Sequence, residues 1–291
     1  MQRLAHLSLK IALSLFGLLP FGVLYALSDV LAFILHHVVG YRKKVIRANL
    51  RLAFPEKTES EIRAITRKFY RNLTDVLLES LKVPTLSIRE AARRYRILHP
   101  EVANHYLDQK RPIILTGSHL GNWEYGGLTL PAAFHGAVIT AYKPLTNKTI
   151  EVFFNRARER TGMEMVSMDE VFRTMRKRSQ EAAVYILLSD QSPSSRKSAY
   201  WVPFFGTETP FLPGMEVLSR KFDFPVIYYR TVRTRRGFYE LHFEELTAHP
   251  TQVADKGITA AYAVTLEKDI RNAPEQWLWS HKRWKHVFIY D

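Results

Sequence analysis

The chain has 291 residues, 46% hydrophobic and 24% charged, proportions of a folded protein that exclude disordered and fibrous classes. Its 42 Lys and Arg against 28 Asp and Glu leave a formal net charge of +14, so the surface attracts phosphates, anionic lipid headgroups, nucleic acid or an acidic protein. With no cysteine there is no disulfide, thiol nucleophile or Cys-ligated metal, which suits a reducing compartment without requiring one.

Residues 1 to 110 carry 18 basic and 9 acidic side chains, and the rest of the chain 24 and 19. The first third is therefore the part expected to meet something negative. Between Lys10 and Asp29 lie eighteen uncharged residues, a helix of about 27 Å at the usual rise, marginal against a hydrocarbon core of ~30 Å. Pro20 is expected to kink that helix near its middle. After Asp29 the apolar character resumes, then gives way to Arg42, Lys43, Lys44, Arg47 and Arg51. A signal peptide is the competing reading, with Arg3 and Lys10 as n-region and Ala26-Leu27-Ser28 as a small-x-small site. Against it, the apolar run continues past that site into a cationic collar. By the positive-inside rule the collar stays cytoplasmic. Residues 1–40 read as a membrane anchor, a single span or an embedded helical hairpin, and residues 41–291 as one domain.

From Glu61 to Leu81, apolar Ile62, Ile65, Phe69, Leu73, Val76, Leu77 and Leu81 form a 3.6-period stripe on a helix ended by Pro84. The other face carries Arg63, Arg67, Lys68 and Arg71, either a solvated surface, the commoner case, or one lying on a membrane. Further on, buried strands are expected at Pro112–Gly117, Ala137–Tyr142, Ala182–Leu188 and Pro225–Thr231, and helices at Asn147–Arg160, Asp169–Arg178, Gly214–Phe222 and Gly257–Asn272. This alternation predicts an α/β fold with a mixed, largely parallel sheet flanked by helices.

The segment Ile113 to Glu124 places His119 just after a predicted strand and Glu124 five residues on, where a helix begins. An H-x4-[D/E] spacing arises about once by chance in such a composition, and His286 with Asp291 repeats it. Context separates the two, because Gly121 permits a tight turn after the strand and strand carboxyl ends are where α/β sites are built. A carboxylate on one imidazole nitrogen fixes the tautomer, leaving the other nitrogen to take a proton from a substrate hydroxyl. That hydroxyl can then attack an acyl thioester with no protein nucleophile, and the chain has no G-x-S-x-G elbow. On spacing alone, a structural His119 bonded to Glu124 is an equal alternative. Backbone N–H groups of Gly121 and Asn122 at the helix start are candidates for holding an oxyanion.

The run Ser118-His119-Leu120-Gly121-Asn122-Trp123-Glu124 resembles the signature of the bacterial lipid A late acyltransferases, within the wider H-x4-D/E glycerolipid acyltransferase group. Several ordered pieces extend the resemblance: Arg42 to Leu50 with Phe54-Pro55, Tyr142-Lys143-Pro144, Asp190-Gln191, Phe204-Phe205-Gly206 and Pro274 to Lys285. The resemblance implies transfer of a fatty acyl chain from acyl carrier protein to a hydroxyl of a phosphorylated glycolipid, a lipid A precursor, at the cytoplasmic face of the bacterial inner membrane. Acyl-carrier protein would be a co-substrate, and no cofactor or metal is implied. By position, Arg156 matches a family arginine about thirty residues after the motif acid, with a charged contact to phosphate, thioester oxygen or the carboxylate; Arg158 and Arg160 look alike without the family comparison. Asp190 and Gln191, in the loop after a buried strand, suit the site wall or a turn. Lys143 and Arg283 are phosphate-contact candidates. Trp123, Phe204, Phe205 and Phe211 either line the acyl channel or simply fill the core. Acyl transfer to glycerol phosphate, an ornithine lipid or a mannosylated phosphoinositide is the nearest rival. A polyanion-binding protein without activity is the rival of another class, but the aromatics lie inside predicted elements and no nucleic-acid motif occurs. G-x-G-x-x-G, G-x-x-x-x-G-K-[ST] and H-E-x-x-H are also absent.

Overall fold

The computed structural model describes residues 11–142, 147–287 and 290. Helix α1 (residues 11–17) stops short of Pro20, whose extended backbone (ψ 145°) makes it the residue before α2 (Phe21–Phe33). Pro20 thus separates two helices where a kink was expected, because an extended residue cannot carry the helical ladder onward. A π-helical turn, Ile34–Val38, continues α2. Then come α3 (Lys43–Ala53), α4 (Glu59–Lys82), α5 (Ile88–Arg94), β1 (Tyr95–Ile97), α6 (Glu101–Leu107), β2 (Ile113–Gly117), α7 (Trp123–Thr129), β3 (Ala137–Tyr142) and α8 (Lys148–Glu159). The chain continues through β4 (Met163–Ser167), α9 (Val171–Lys177), β5 (Ala183–Leu188), the hairpin β6 (Tyr200–Phe204) and β7 (Thr207–Phe211), α10 (Gly214–Phe222), β8 (Val226–Arg235), β9 (Phe238–Thr247) and α11 (Gly257–Asn272).

Seven strands form one sheet in the order β1-β9-β8-β2-β5-β3-β4. Only β8 and β9 run antiparallel in it, so the sheet is mixed and largely parallel. Side chains alternate between its two faces. Ile114, Ala183, Tyr185 and Leu187 join the core under α3, α4, α10 and α11, while Ile113, Leu115, Val184 and Ile186 join the core under α5, α6 and α7. A strand covered on both faces is almost wholly apolar, and for that reason the apolar runs at β2 and β5 read as strands; the one polar side chain of β2, Thr116, is buried and donates to the Leu187 carbonyl at 2.8 Å.

The helix expected from Glu61 begins at Glu59, since Thr58 and Glu61 form a reciprocal cap: the Glu61 N–H donates to Thr58 Oγ1 at 3.4 Å and the Thr58 N–H to Glu61 Oε2 at 2.8 Å, satisfying two donors. Its apolar stripe is buried from Ile62 to Val76, while Leu77 is exposed and Leu81 half-buried, and Arg63, Arg67, Lys68 and Arg71 are exposed. Helix α2 does not stand away from this body. It lies along α4, with Tyr25 donating to Glu79 (2.8 Å) and Ser28 to Asp75 (2.6 Å), while Arg236 bridges Asp29 and Asp75. At the other end of the chain, Asn49 on α3 donates to the carbonyls of Trp279 (2.8 Å) and His281 (2.9 Å). Two sequence blocks some 230 residues apart are thereby joined behind the site.

Candidate active site

Strand β2 ends at Gly117, where an added Cβ would lie 2.3 Å from the Tyr229 ring; only glycine lets the backbone pass so close. Two residues later comes His119. Because β2 and β5 are parallel with Gly117 opposite Leu188, the residue two places past Leu188 lies beside the residue two places past Gly117. That residue is Asp190, and it accepts from the His119 ring at Nδ1 (2.7 Å) and from the His119 backbone N–H (2.9 Å). Trp277 Nε1 donates to the second Asp190 oxygen at 3.0 Å. The carboxylate is 2% exposed and the imidazole 16%, so both ring position and tautomer are set from within, and Nε2 is left to the substrate side. The Gln191 amide lies 3.4 Å from that Nε2.

Burial disfavours a charged His119, but the Asp190 charge and hydrogen bond, with the Glu124 charge, outweigh it and raise its pKa above 6.5. Asp190 is likewise penalised by burial, yet the His119 charge and the hydrogen bonds from His119 and Trp277 hold it below the ordinary carboxylate value. The two directions are the two sides of one coupling, in which each group favours the charged form of the other.

Glu124, expected to orient His119, faces a different partner: Arg158 donates to its Oε2 at 2.5 Å. Its charge reaches His119, but the orienting hydrogen bond comes from Asp190. Helical phase decides the arginine. On α8, Arg156 is exposed whereas Arg158, about half a turn further, points into the cavity that holds Glu124. Counting thirty residues from the acid gives an approximate position, and only the helix axis determines which side chain turns inward. Arg160 donates to the Val83 carbonyl at 2.9 Å instead.

Asn122 is a structural cap. Its Oδ1 accepts the N–H groups of Glu124 (3.0 Å) and Tyr125 (3.1 Å), and its Nδ2 donates to buried Glu79 at 2.7 Å, which fixes the start of α7 and the direction of Glu124. The Gly121 N–H donates to the Gln276 carbonyl at 3.2 Å and so is already engaged; the turn itself uses glycine at φ +66°. Arg283 is 1% exposed, donates to the Pro210 carbonyl (2.7 Å) and packs 4.2 Å from the Phe211 ring centre. Burial presses its pKa down to about 10, and it is an internal residue where a phosphate contact was expected. Phe204, Phe205 and Phe211 are core residues on the far face of the sheet. Lys143 lies outside the described residues.

A cavity of about 580 Å3 opens beside His119, within the size range of small-molecule sites. Its polar lining includes Glu124, Asn155 and Arg158, and Trp123 meets the His119 ring edge-on at 4.9 Å. The rest of its wall is largely apolar, with Leu77, Leu81, Leu130, Met163, Met165 and Ile186. Two adjacent glycines of α7, Gly126 and Gly127, form part of the wall, and an added Cβ on Gly127 would press the Arg158 side chain at 3.3 Å. Among the described residues there is no cluster of three or more His, Asp or Glu placed to hold a metal ion.

A His-Asp pair just past the end of a parallel strand stands beside a cavity walled largely by apolar side chains, an arrangement that acyl transfer can use. The family model of the bacterial lipid A biosynthesis acyltransferases matches residues 3–286, and the chain belongs to that family. It is 25% identical over 271 residues to the lipid A biosynthesis palmitoleoyltransferase of Escherichia coli K12, covering 92% of this chain and 86% of that protein. It is 28% identical over 270 residues to the lipid A biosynthesis lauroyltransferase of the same organism, covering 92% and 87%. A lipid A biosynthesis acyltransferase of Shigella flexneri matches at 25%. The chain is an acyltransferase of the lipid A biosynthetic class.

Sequence reasoning passed over Trp277 as a site residue and ranked Arg156 above Arg158. Asp190 was already a candidate from the sequence, and its role beside His119 follows from the parallel register of β2 and β5, which only the fold supplies.

Proposed function

We propose that this enzyme transfers a fatty acyl chain from acyl carrier protein to a hydroxyl of a lipid A precursor, with His119 as general base. The observation that carries this reading is the imidazole tied by Nδ1 to a buried carboxylate while it lines a cavity walled largely by apolar side chains. The acyl chain enters between α4, α7 and α8, with its thioester carbon beside His119. His119 Nε2 takes the acceptor hydroxyl's proton as its oxygen attacks that carbon. The tetrahedral oxyanion then collapses, the C–S bond breaks, and the thiolate leaves with the proton that His119 holds. No acyl-enzyme forms. Asp190 stabilises the imidazolium, and Arg158, held by Glu124, stands where it can meet negative charge developing on the carbonyl oxygen. Gln191 moves off Nε2 when the hydroxyl arrives.

The membrane reading rests on α2. Residues Phe21–Val38 form a stretch apolar and long enough to cross a bilayer, though only 17% of it is buried. Its inner face carries polar contacts to α4, whose Asp75 and Glu79 would enter hydrocarbon if α2 stood upright as a span. An anchor lying in the interface, apolar face down, meets the same composition at lower cost. We place the enzyme on the cytoplasmic face of the inner membrane, where an acidic carrier and a phosphorylated acceptor meet its positive surface.

His119→Ala should retain the fold and lose on the order of 10²–10⁴ in turnover, assayed with acyl carrier protein loaded with a fatty acid and a purified lipid A precursor. Near-normal turnover by the folded variant would refute the mechanism. Mass spectrometry of lipid A from cells with and without the enzyme tests the acceptor; an unchanged acylation pattern points to another hydroxyl lipid.

A further inference from the structure

A second cavity, of about 430 Å3, lies where the π-helical turn after α2 meets α3 and the first half of α4. Arg67 is ten residues, about 15 Å of helix, from Leu77, where α4 first lines the catalytic cavity. Its wall holds Lys43, Arg47, Arg63 and Arg67, with His36 and His37, and no carboxylate. Among the described residues only Arg47 of these four cations has an acidic partner, Glu59 at 2.9 Å, which is shared with Arg51. Arg47 Nε is buried and has no acceptor. Four cations held around one hollow repel each other, and an orphaned buried donor is costly. Both costs are offset when an oxyanion with several acceptor oxygens enters.

The surroundings say where that oxyanion comes from. On α2, Leu24, Ser28 and Ala32 face α4, while Val23, Leu27, Val30, Ile34 and Val38 form an exposed stripe along the outside. The stripe ends at the turn that also supplies His36 and His37 to the hollow. An apolar stripe set at acyl depth would therefore hold the cationic hollow at headgroup depth. Next to it, Arg67 and Arg71 border a smaller groove in which Asp29 is already neutralised by Arg71 and Arg236, so no free carboxylate repels an anion there.

We infer that the hollow between the π-helical turn, α3 and α4 is a binding site for the phosphate of a membrane lipid headgroup, separate from the catalytic cavity. It holds the enzyme on anionic bilayers and fixes its height and tilt. The site stands whether or not the acyl-transfer reading is right, because it requires only an anionic phospholipid, whose phosphate charge is not offset by a headgroup ammonium as it is in phosphatidylcholine.

The test is flotation of the full chain with vesicles of phosphatidylcholine, alone or containing a minor fraction of phosphatidylglycerol. Arg63→Gln with Arg67→Gln should lose on the order of tenfold in the partition gained from phosphatidylglycerol and leave the phosphatidylcholine baseline unchanged. A charge-matched pair on α9, Arg176→Gln with Lys177→Gln, should keep that gain, as should His119→Ala. Arg63→Lys with Arg67→Lys should restore most of it. Equal losses in the α9 pair, or no loss at Arg63 and Arg67, would overturn the proposal. Inorganic phosphate should fail to displace the protein from anionic vesicles at constant ionic strength; displacement would mean the hollow takes free phosphate, contrary to the lipid assignment.

Discussion

His119 lies between two opposed forces, burial against its charge and the Asp190 carboxylate, with the Glu124 charge, in favour of it, and the carboxylates prevail. A base works only when neutral, so the acid limb of kcat/KM should lie above pH 6.5 and activity should fall as pH drops through it. Asp190→Asn removes the larger favourable charge and leaves burial in command. The limb should then move to lower pH while the rate at its plateau drops, a combination read from a pH–rate profile. The same shifts govern stability. The raised His119 pKa adds stability that is complete below 6.5 and lost as pH rises through the folded-state value; the lowered Asp190 pKa adds stability above 3.8 that is lost as pH falls. Arg158 gives a second test at this scale. Arg158→Ala should cost about 10²–10³ in kcat, and Arg156→Ala, exposed one face away, should leave kcat near its natural value. Steady-state kinetics of the two variants distinguishes inward helical phase from nominal spacing.

Helix α7 shows how an element can give up intrinsic stability for space. Glycine inside a helix costs about 1 kcal/mol relative to alanine, yet Gly126 and Gly127 are adjacent and both face the cavity. Tertiary contacts compensate, with Asn122 capping the N-terminus and Tyr125 buried. A Cβ at Gly126 would meet Leu130 and the Tyr95 hydroxyl at 3.5 and 3.6 Å, ordinary contact distances, so a side chain there can be accommodated by the fold while shortening the cavity. Gly126→Met should shift the preferred donor toward shorter acyl chains, read as the product distribution from a mixture of acyl donors; an unchanged distribution would remove Gly126 from the chain-length wall. The other elements show what periodicity reports. Helices α10 and α11 coincide with their predicted bounds because their apolar faces and Gly starts are local features. Strand β8 runs on to Arg235 beyond the predicted Thr231, since its far half is sustained by antiparallel pairing with β9 and not by an apolar run of its own.

Across the whole molecule, one carboxylate joins parts of the chain that composition would separate into anchor and domain. Glu79, fully buried, accepts from Tyr25 on α2, Asn122 before α7 and Tyr239 on β9 at 2.7–2.8 Å. Burial pushes its carboxyl up, against the three hydrogen bonds that hold it down. Glu79→Ala would strand three donors, each worth about 1–3 kcal/mol when left unsatisfied, so the unfolding free energy should drop by at least about 3 kcal/mol, measured from denaturant midpoints, with a smaller drop for Glu79→Gln. Retention of full stability by Glu79→Ala would mean water replaces the carboxylate. The C-terminal segment has a comparable reach: Trp277 supports Asp190, and Trp279 and Trp284 are buried beside the β6–β7 hairpin.

The α/β class, the main strands and helices, His119 and the apolar N-terminus could all be read from the chain, because each depends on periodicity, turn residues or a motif within about a dozen positions. Which carboxylate holds His119, which arginine enters the cavity, and that Arg283 is internal were decided only by the fold. Those outcomes depend on strand register, helical phase and the packing of residues far apart in sequence, and no local pattern encodes the distance between Asp190 and His119. The sequence also showed that the first third of the chain is the more cationic. The tertiary structure alone placed Lys43, Arg47, Arg63 and Arg67 around a single hollow, because it brings α3 and α4 against the turn that ends α2.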